Sequence, residues 1–144
     1  MLTVDLRGFG YSGGARSCAE IDDLLKDVIS IIKRANKNLP LYIYGHSLGG
    51  LISVSLMLNY PYLNVSGIIL TSPFIGFPEG KEFSKVKTWF IKYMGLELQD
   101  FVLNSQISPT SLTKNDKKLL NVVDNRLMAP FLSVKKARSL IIHM

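Results

Sequence analysis

The chain has 144 residues, which is enough for one domain with its own core. Hydrophobic residues make up 47% of it and charged residues 19%, a globular composition that excludes disordered, collagen-like and disulfide-rich classes. The formal net charge is +6, but the basic residues are scattered. Their local concentrations lack the interleaved aromatic residues of a base-stacking surface: Lys33-Arg34-Lys37, Lys114-Lys117-Lys118 and Lys135-Lys136-Arg138. We therefore expect no nucleic-acid binding and, at most, a weak peripheral contact with membranes.

A single cysteine, Cys18, rules out an internal disulfide and a cysteine metal cluster. We expect no metal and no cofactor, and a reducing, cytoplasmic location. The first residues lack the basic and apolar regions of a signal peptide. No apolar run approaches the roughly 18 residues that a membrane-spanning helix needs.

Strands and helices are predicted to alternate in the first half of the chain. Residues 2–6 have the pattern of a short strand before a glycine-rich loop, and residues 20–36 that of an amphipathic helix. Residues 41–44 and 65–70 are continuous apolar runs, typical of strands buried on both faces, and an apolar helix over Leu48–Asn59 lies between them. This order predicts right-handed crossovers and a parallel sheet, hence an α/β fold.

The second half has a different character, with irregular, aromatic-rich helical segments. One stripe of apolar residues recurs at helical spacing: Phe83, Val86, Trp89, Phe90, Tyr93 and Met94. Two more helices are predicted near residues 114–123 and 133–144, the second capped by Ser133. Its inner face is expected to hold Val134, Ala137, Leu140, Ile141 and Met144. We expect residues 1–73 to form the central part of a core and residues 74–144 a helical cap.

The motif Gly45-His46-Ser47-Leu48-Gly49-Gly50 falls between a predicted strand and the following helix. A serine on a sharp strand-to-helix turn presents its hydroxyl to a substrate on one side and to a base on the other, so Ser47 is the candidate nucleophile. Strand and helix approach closely there, which predicts that Gly45 and Gly49 must be small and that Gly50 adds clearance. The N–H of Leu48, at the helix N-terminus, is expected to donate to the oxyanion.

These residues resemble the monoacylglycerol lipase and lysophospholipase family of α/β-hydrolases, often described as serine aminopeptidase-like. Residues 5–12, Asp-Leu-Arg-Gly-Phe-Gly-Tyr-Ser, are similar to the family's D-x-R-G-x-G-x-S loop after its fourth strand. Ser72-Pro73 stands where the family leaves its sixth strand and enters the cap. The resemblance is close up to about Phe77 and loose beyond it. It implies a partial α/β-hydrolase fold truncated at both ends, with the third strand and a His-Gly oxyanion turn upstream of Met1.

The resemblance also implies hydrolysis of lipid-type carboxylic esters through an acyl-enzyme on Ser47. In this fold the triad residues follow the order Ser, Asp or Glu, His, so the resemblance places the base and its carboxylate beyond the cap. The chain as given is therefore expected to be an inactive fragment. His46 is expected to have a structural role. A triad of His143 with Asp100, Asp116 or Asp124 is a minor alternative.

The cap contributes apolar residues that line an acyl channel or simply form the cap's own core: Phe74, Ile75, Phe77, Trp89, Phe90 and Met94. The expected partner is a small-molecule lipid ester. A peptidase, or another ester or thioester hydrolase, is the alternative within enzymes, because the fold hosts many chemistries. A non-catalytic remnant or interaction protein is the alternative outside them.

Overall fold

The computed structural model describes residues 1–77, 84–94, 101–104, 115 and 131–144. The helices and strands within these ranges are α1 (Ile21–Ile32), β1 (Tyr42–His46), α2 (Leu48–Asn59), β2 (Gly67–Thr71), α3 (Lys85–Met94), β3 (Val102–Asn104), β4 (Phe131–Ser133) and α4 (Val134–His143). The helix predicted near residues 114–123 lies outside the described residues.

Strands β1 and β2 are adjacent and parallel, as predicted. Their register pairs Tyr42 with Gly67 at one end and His46 with Thr71 at the other. The apolar helix α2 connects the two strands and packs on β1. The strand–helix–strand prediction for residues 41–70 is therefore confirmed.

The core lies between the amphipathic face of α1 and the apolar helix α2. Its most deeply buried side chains, all at most 3% exposed, are Ile21, Leu24, Leu25, Leu51, Ile52 and Leu56. Burying one such side chain contributes roughly 2 kcal/mol to folding. Asp22 and Asp23 lie in the first turn of α1, where carboxylates interact favourably with the helix dipole.

Residues 2–6 do not form the predicted strand. They have no regular secondary structure and belong to neither sheet of the described residues. A strand needs a hydrogen-bonded neighbouring strand, and none of the described strands pairs with these residues, so their apolar pattern is not enough.

The loop that follows is nevertheless well ordered, through the polar residues of its motif. The Asp5 carboxylate accepts from the Tyr11 N–H at 3.0 Å, and the Asp5 carbonyl accepts from the Ser12 hydroxyl at 2.6 Å. Arg7 donates two hydrogen bonds, of 2.9 and 2.7 Å, to Asp27 on α1. The motif therefore folds the loop onto itself and ties it to α1.

Helix α4 begins at the predicted residue and packs against both α1 and α3. The Ser133 hydroxyl accepts from the Lys136 N–H at 3.1 Å, so the predicted N-cap is confirmed. Its inner face differs from the expectation at one end: Lys136 and Ser139 are buried, whereas Met144 is exposed. Polar contacts explain the difference, because the Ser139 hydroxyl accepts from the Ile21 N–H at 2.8 Å.

The segment expected to be helical also contains a strand pair, since β3 and β4 form a short antiparallel ladder. In α3 the buried residue is Ile91, at 3% exposure, on the side of the helix away from the predicted stripe. The stripe residues Val86, Trp89, Phe90 and Tyr93 are exposed. Helical spacing identifies an apolar face but does not fix the direction in which it points.

Candidate active site

Ser47 occupies the sharp turn between β1 and α2 in a conformation that non-glycine residues rarely adopt. Its φ is 52° and its ψ is −116°. Such a conformation costs on the order of 1–3 kcal/mol and persists only where its surroundings enforce it. The side chain is exposed. The geometry is that of a nucleophile elbow, with the hydroxyl at the start of a helix and open to solvent.

Backbone hydrogen bonds with the segment that follows β2 hold Ser47 in this conformation. The Ser47 N–H donates to the Thr71 carbonyl at 3.1 Å, and the Ser47 carbonyl accepts from the Phe74 N–H at 3.0 Å. Ser47 is thus held on both sides by the backbone around Ser72-Pro73. Sequence reasoning missed Thr71 and Phe74 in this role, because backbone contacts leave no signal in residue type.

Two of the three motif glycines are required by close packing. A Cβ at Gly45 would lie 2.5 Å from the Gly49 carbonyl oxygen, and a Cβ at Gly50 would lie 2.6 Å from the Pro73 Cβ. A Cβ at Gly49 would meet nothing within 4 Å. The expectation that Gly49 must be small is therefore wrong, because it is the Gly49 backbone that meets Gly45.

The Leu48 amide, which is the predicted oxyanion donor, lies at the start of α2. At the start of α2, the N–H groups of Gly50 and Leu51 both donate to the Ser47 carbonyl, at 2.9 and 3.3 Å. The Leu48 N–H has no acceptor in the described part of the chain. It lies next to the Ser47 hydroxyl at a helix N-terminus, where the helix dipole favours negative charge.

Neither of the chain's two histidines is hydrogen-bonded to Ser47. His46 Nδ1 lies 3.0 Å from the Thr71 hydroxyl oxygen, which also lies 2.9 Å from the Tyr44 hydroxyl, so His46 bridges β1 and β2. His143 lies on α4 with its Nε2 3.3 Å from the Asp22 carboxylate and its Nδ1 2.9 Å from the Ser139 carbonyl.

The sequence matches the family described as Hydrolase_4, serine aminopeptidase, S33, over residues 1–144. The chain belongs to this family. An abhydrolase domain-containing protein of Dictyostelium discoideum is 30% identical over 129 residues, which are 85% of this chain and 14% of that protein.

Solved structures show the fold. A monoacylglycerol lipase from Paleococcus ferrophilus superposes with a TM-score of 0.82 at 22% identity, and a soluble variant of the monoglyceride lipase from Saccharomyces cerevisiae with 0.75 at 18%. Each comparison covers 96% of this chain but only 52% and 48% of the respective lipase. The chain therefore has a partial α/β-hydrolase fold and spans about half the length of these relatives.

The residues predicted to line an acyl channel or form a cap core differ in their exposure. Phe74 packs on the core and stacks edge-on against Phe77, with ring centroids 5.5 Å apart, whereas Ile75 is exposed. Trp89 and Phe90 are exposed on α3, and the side chain of Met94 lies outside the described residues. An acyl channel formed by these residues stays a prediction.

Two open cavities lie away from Ser47. One, of about 560 Å³, is bordered by the N-terminal segment and α1. The other, of about 480 Å³, lies where the ends of α2 and α4 meet α1, and Asp22 and His143 line it. No helix among the residues that the structure describes has the length and apolar character needed to cross a bilayer.

Proposed function

We propose that Ser47 is the nucleophile of a serine hydrolase that cleaves lipid-type carboxylic esters. The observation that carries the proposal is the strained turn at Ser47. Backbone hydrogen bonds with Thr71 and Phe74 hold this turn beside the Leu48 amide, which has no acceptor among the described residues. Family membership and the α/β-hydrolase fold give this turn its chemical context.

In the proposed reaction, Ser47 Oγ bonds to the ester carbonyl carbon as its proton passes to a base. The Leu48 N–H donates to the oxyanion, a contact typically worth about 3 kcal/mol of barrier. The leaving alkoxide takes the proton, and an acyl-enzyme remains. Water then attacks the acyl carbon by the reverse proton route and frees the acid and Ser47.

The base and its carboxylate are proposed to come from residues outside this chain. His46 and His143 are hydrogen-bonded to groups other than Ser47, and the chain spans about half of the lipases it resembles. The 144-residue chain is therefore proposed to be inactive alone. A cytoplasmic location, with any membrane contact peripheral, belongs to the same proposal.

Two substrate classes have support. The names of the two similar structures, monoacylglycerol lipase and monoglyceride lipase, favour a lipid ester. The family description, serine aminopeptidase, favours a peptide with a free N-terminus as the second candidate. Phe74, whose N–H is hydrogen-bonded to Ser47, and the adjacent Phe77 place apolar surface near the serine, which favours a lipid ester as substrate.

The test uses this chain completed with the flanking segments of the Paleococcus ferrophilus lipase. We expect it to hydrolyse a long-chain monoglyceride faster than an aminoacyl nitroanilide, with both rates abolished in Ser47→Ala. Preferential hydrolysis of the nitroanilide would reassign the protein to the peptidases. Equal activity of Ser47→Ala and the parent chimera would remove Ser47 from the mechanism.

A further inference from the structure

Two hydroxyl groups and an imidazole meet beside the turn at Ser47, on the face of the β1–β2 sheet opposite α2. Gly45 faces α2, since a Cβ there would lie 2.5 Å from the carbonyl oxygen of Gly49. Side chains alternate along a strand, so the residues on either side of Gly45, Tyr44 and His46, point to the other face. The register pairs His46 with Thr71 of β2. Tyr44, His46 and Thr71 are therefore neighbours, and we call them the Thr71 network.

The Thr71 hydroxyl is the centre of this network. Its oxygen lies 2.9 Å from the Tyr44 hydroxyl oxygen and 3.0 Å from His46 Nδ1. A hydroxyl has one donor and two acceptor sites, so it can bond to both partners at once. Both partners belong to β1, the strand that leads into Ser47. The Thr71 side chain therefore fixes the end of β2 to the end of β1, directly beside the turn.

The main chain of Thr71 and of the residues after it holds the turn. The Thr71 carbonyl accepts from the Ser47 N–H at 3.1 Å, and the Ser47 carbonyl accepts from the Phe74 N–H at 3.0 Å. Between Thr71 and Phe74, Ser72 has a φ of 43°, which lies in the left-handed region like the φ of 52° at Ser47. Such conformations persist only where their surroundings enforce them. The position of Thr71 relative to β1 is therefore part of what holds both residues.

We propose that Thr71 is a positioning residue for acyl transfer, whose hydroxyl holds Ser47 and the Leu48 amide in the reactive arrangement. This inference rests on the proposed function of Ser47. Thr71 acts through the main chain of the turn, and His46 contributes as a hydrogen-bond partner of Thr71. A displacement of about 1 Å at the reacting atoms can cost on the order of a hundredfold in rate. Loss of the Thr71 hydroxyl should therefore lower kcat.

Thr71→Val tests the hydroxyl, because valine keeps the branched shape but cannot form hydrogen bonds. In the chain completed with the Paleococcus ferrophilus flanks, Thr71→Val should lower kcat for a nitrophenyl ester by roughly 10- to 100-fold and change KM by less than about twofold. Thr71→Ser keeps the hydroxyl, so its kcat should lie within about threefold of the parent chimera. An unchanged kcat in Thr71→Val would overturn the proposal, and so would equal losses in the valine and serine variants.

Tyr44→Phe tests whether the side chains act as one network. It should lower kcat by about threefold or more, and combining it with Thr71→Val should add little to the loss from Thr71→Val alone. The matched control is Tyr62→Phe, at an exposed tyrosine beyond the end of α2, which should change kcat by less than about 1.5-fold. Additive losses from Tyr44→Phe and Thr71→Val would overturn the network.

Hydrogen exchange in the 144-residue chain tests the same contacts without any turnover. Thr71→Val should speed exchange of the Ser47 and Phe74 amides by about tenfold or more relative to amides in the middle of α1, and Thr71→Ser should have a much smaller effect. Unchanged protection of both amides would overturn the positioning role. A parent chimera without Ser47-dependent turnover would instead remove the proposed function, and the role of Thr71 in acyl transfer with it.

Discussion

Ser47 shows how a single strained residue depends on the backbone around it. Its positive φ is held by hydrogen bonds from the β2 exit, and the tight approach of β1 to α2 leaves no room for a side chain at Gly45. The motif spacing predicted the turn and the nucleophile candidate. It could not predict the two hydrogen bonds that hold the turn, because they are made by main-chain atoms of Thr71 and Phe74.

Alanine at the motif glycines tests this packing. Gly45→Ala and Gly50→Ala should each lower the unfolding free energy by about 1–3 kcal/mol, because the new Cβ meets backbone or Pro73 at 2.5–2.8 Å. Gly49→Ala should be neutral or stabilising by up to about 1 kcal/mol, since its Cβ meets nothing and alanine favours a helix. Urea unfolding measures all three. A Gly49→Ala loss as large as that of Gly45→Ala would contradict the packing described.

Lys136 is buried, and its ammonium lies 4.0 Å from the ring centre of Phe9. Burial lowers the pKa of Lys136 to about 8, opposed slightly by the nearby Cys18. The unfolded chain then keeps a proton that the folded chain has released between about pH 8 and 10.5. The unfolding free energy should therefore rise with pH across this window.

Lys136→Met keeps the bulk and removes the charge. At pH 7 the variant should be more stable than the parent chain by up to roughly 3 kcal/mol, and the difference should shrink as the pH approaches 10.5. Urea titrations of both chains at the two pH values measure the difference. A gap that is constant with pH would mean that Lys136 does not titrate with a lowered pKa.

At the scale of helices and strands, the sequence patterns predicted those elements whose burial is visible in their own residues. The 3.6-residue pattern in α1 and the apolar runs of β1 and β2 predicted these elements to within a few residues. Residues 2–6 failed because a strand depends on a neighbour that its own sequence does not encode. In α3 the sequence shows an apolar stripe but not which side of the helix is buried, and the structure buries Ile91 on the other side.

The start of α4 offers a test at this scale. Ser133→Ala should lower the unfolding free energy by about 1 kcal/mol or slightly more, because the Lys136 N–H loses its acceptor in a buried setting. Ser66→Ala, at an exposed serine, is the matched control and should change stability by less than about 0.5 kcal/mol. Equal effects of the two changes in thermal unfolding would remove Ser133 as the cap.

At the scale of the whole molecule, the two-stranded sheet is covered on one face only. Ile43 packs toward the core, whereas Tyr42, Tyr44 and Ile69 on the opposite face are exposed. The family's similar structures are about twice as long as this chain. In the described residues the proposed site has a candidate nucleophile, Ser47, and a candidate oxyanion donor, Leu48, and neither His46 nor His143 is hydrogen-bonded to Ser47.

The 144-residue chain should therefore hydrolyse a short-chain nitrophenyl ester no faster than its Ser47→Ala variant. A serine without its base is a weak nucleophile, and the loss of triad members costs on the order of 10⁴ to 10⁶ in rate. Initial rates of nitrophenol release from the two purified chains decide the point. Turnover that disappears in Ser47→Ala would show that a base lies within the chain.

The central claim, that Ser47 carries the acyl group, is tested most directly by mass spectrometry of the completed chain. The chimera with the Paleococcus ferrophilus flanks is mixed with a nitrophenyl ester, quenched in acid within the first turnover and digested. We expect one added acyl group on the peptide that contains Ser47, and none in Ser47→Ala. Ester turnover by the folded chimera with the acyl group on another residue, or with no acyl group on Ser47, would contradict it.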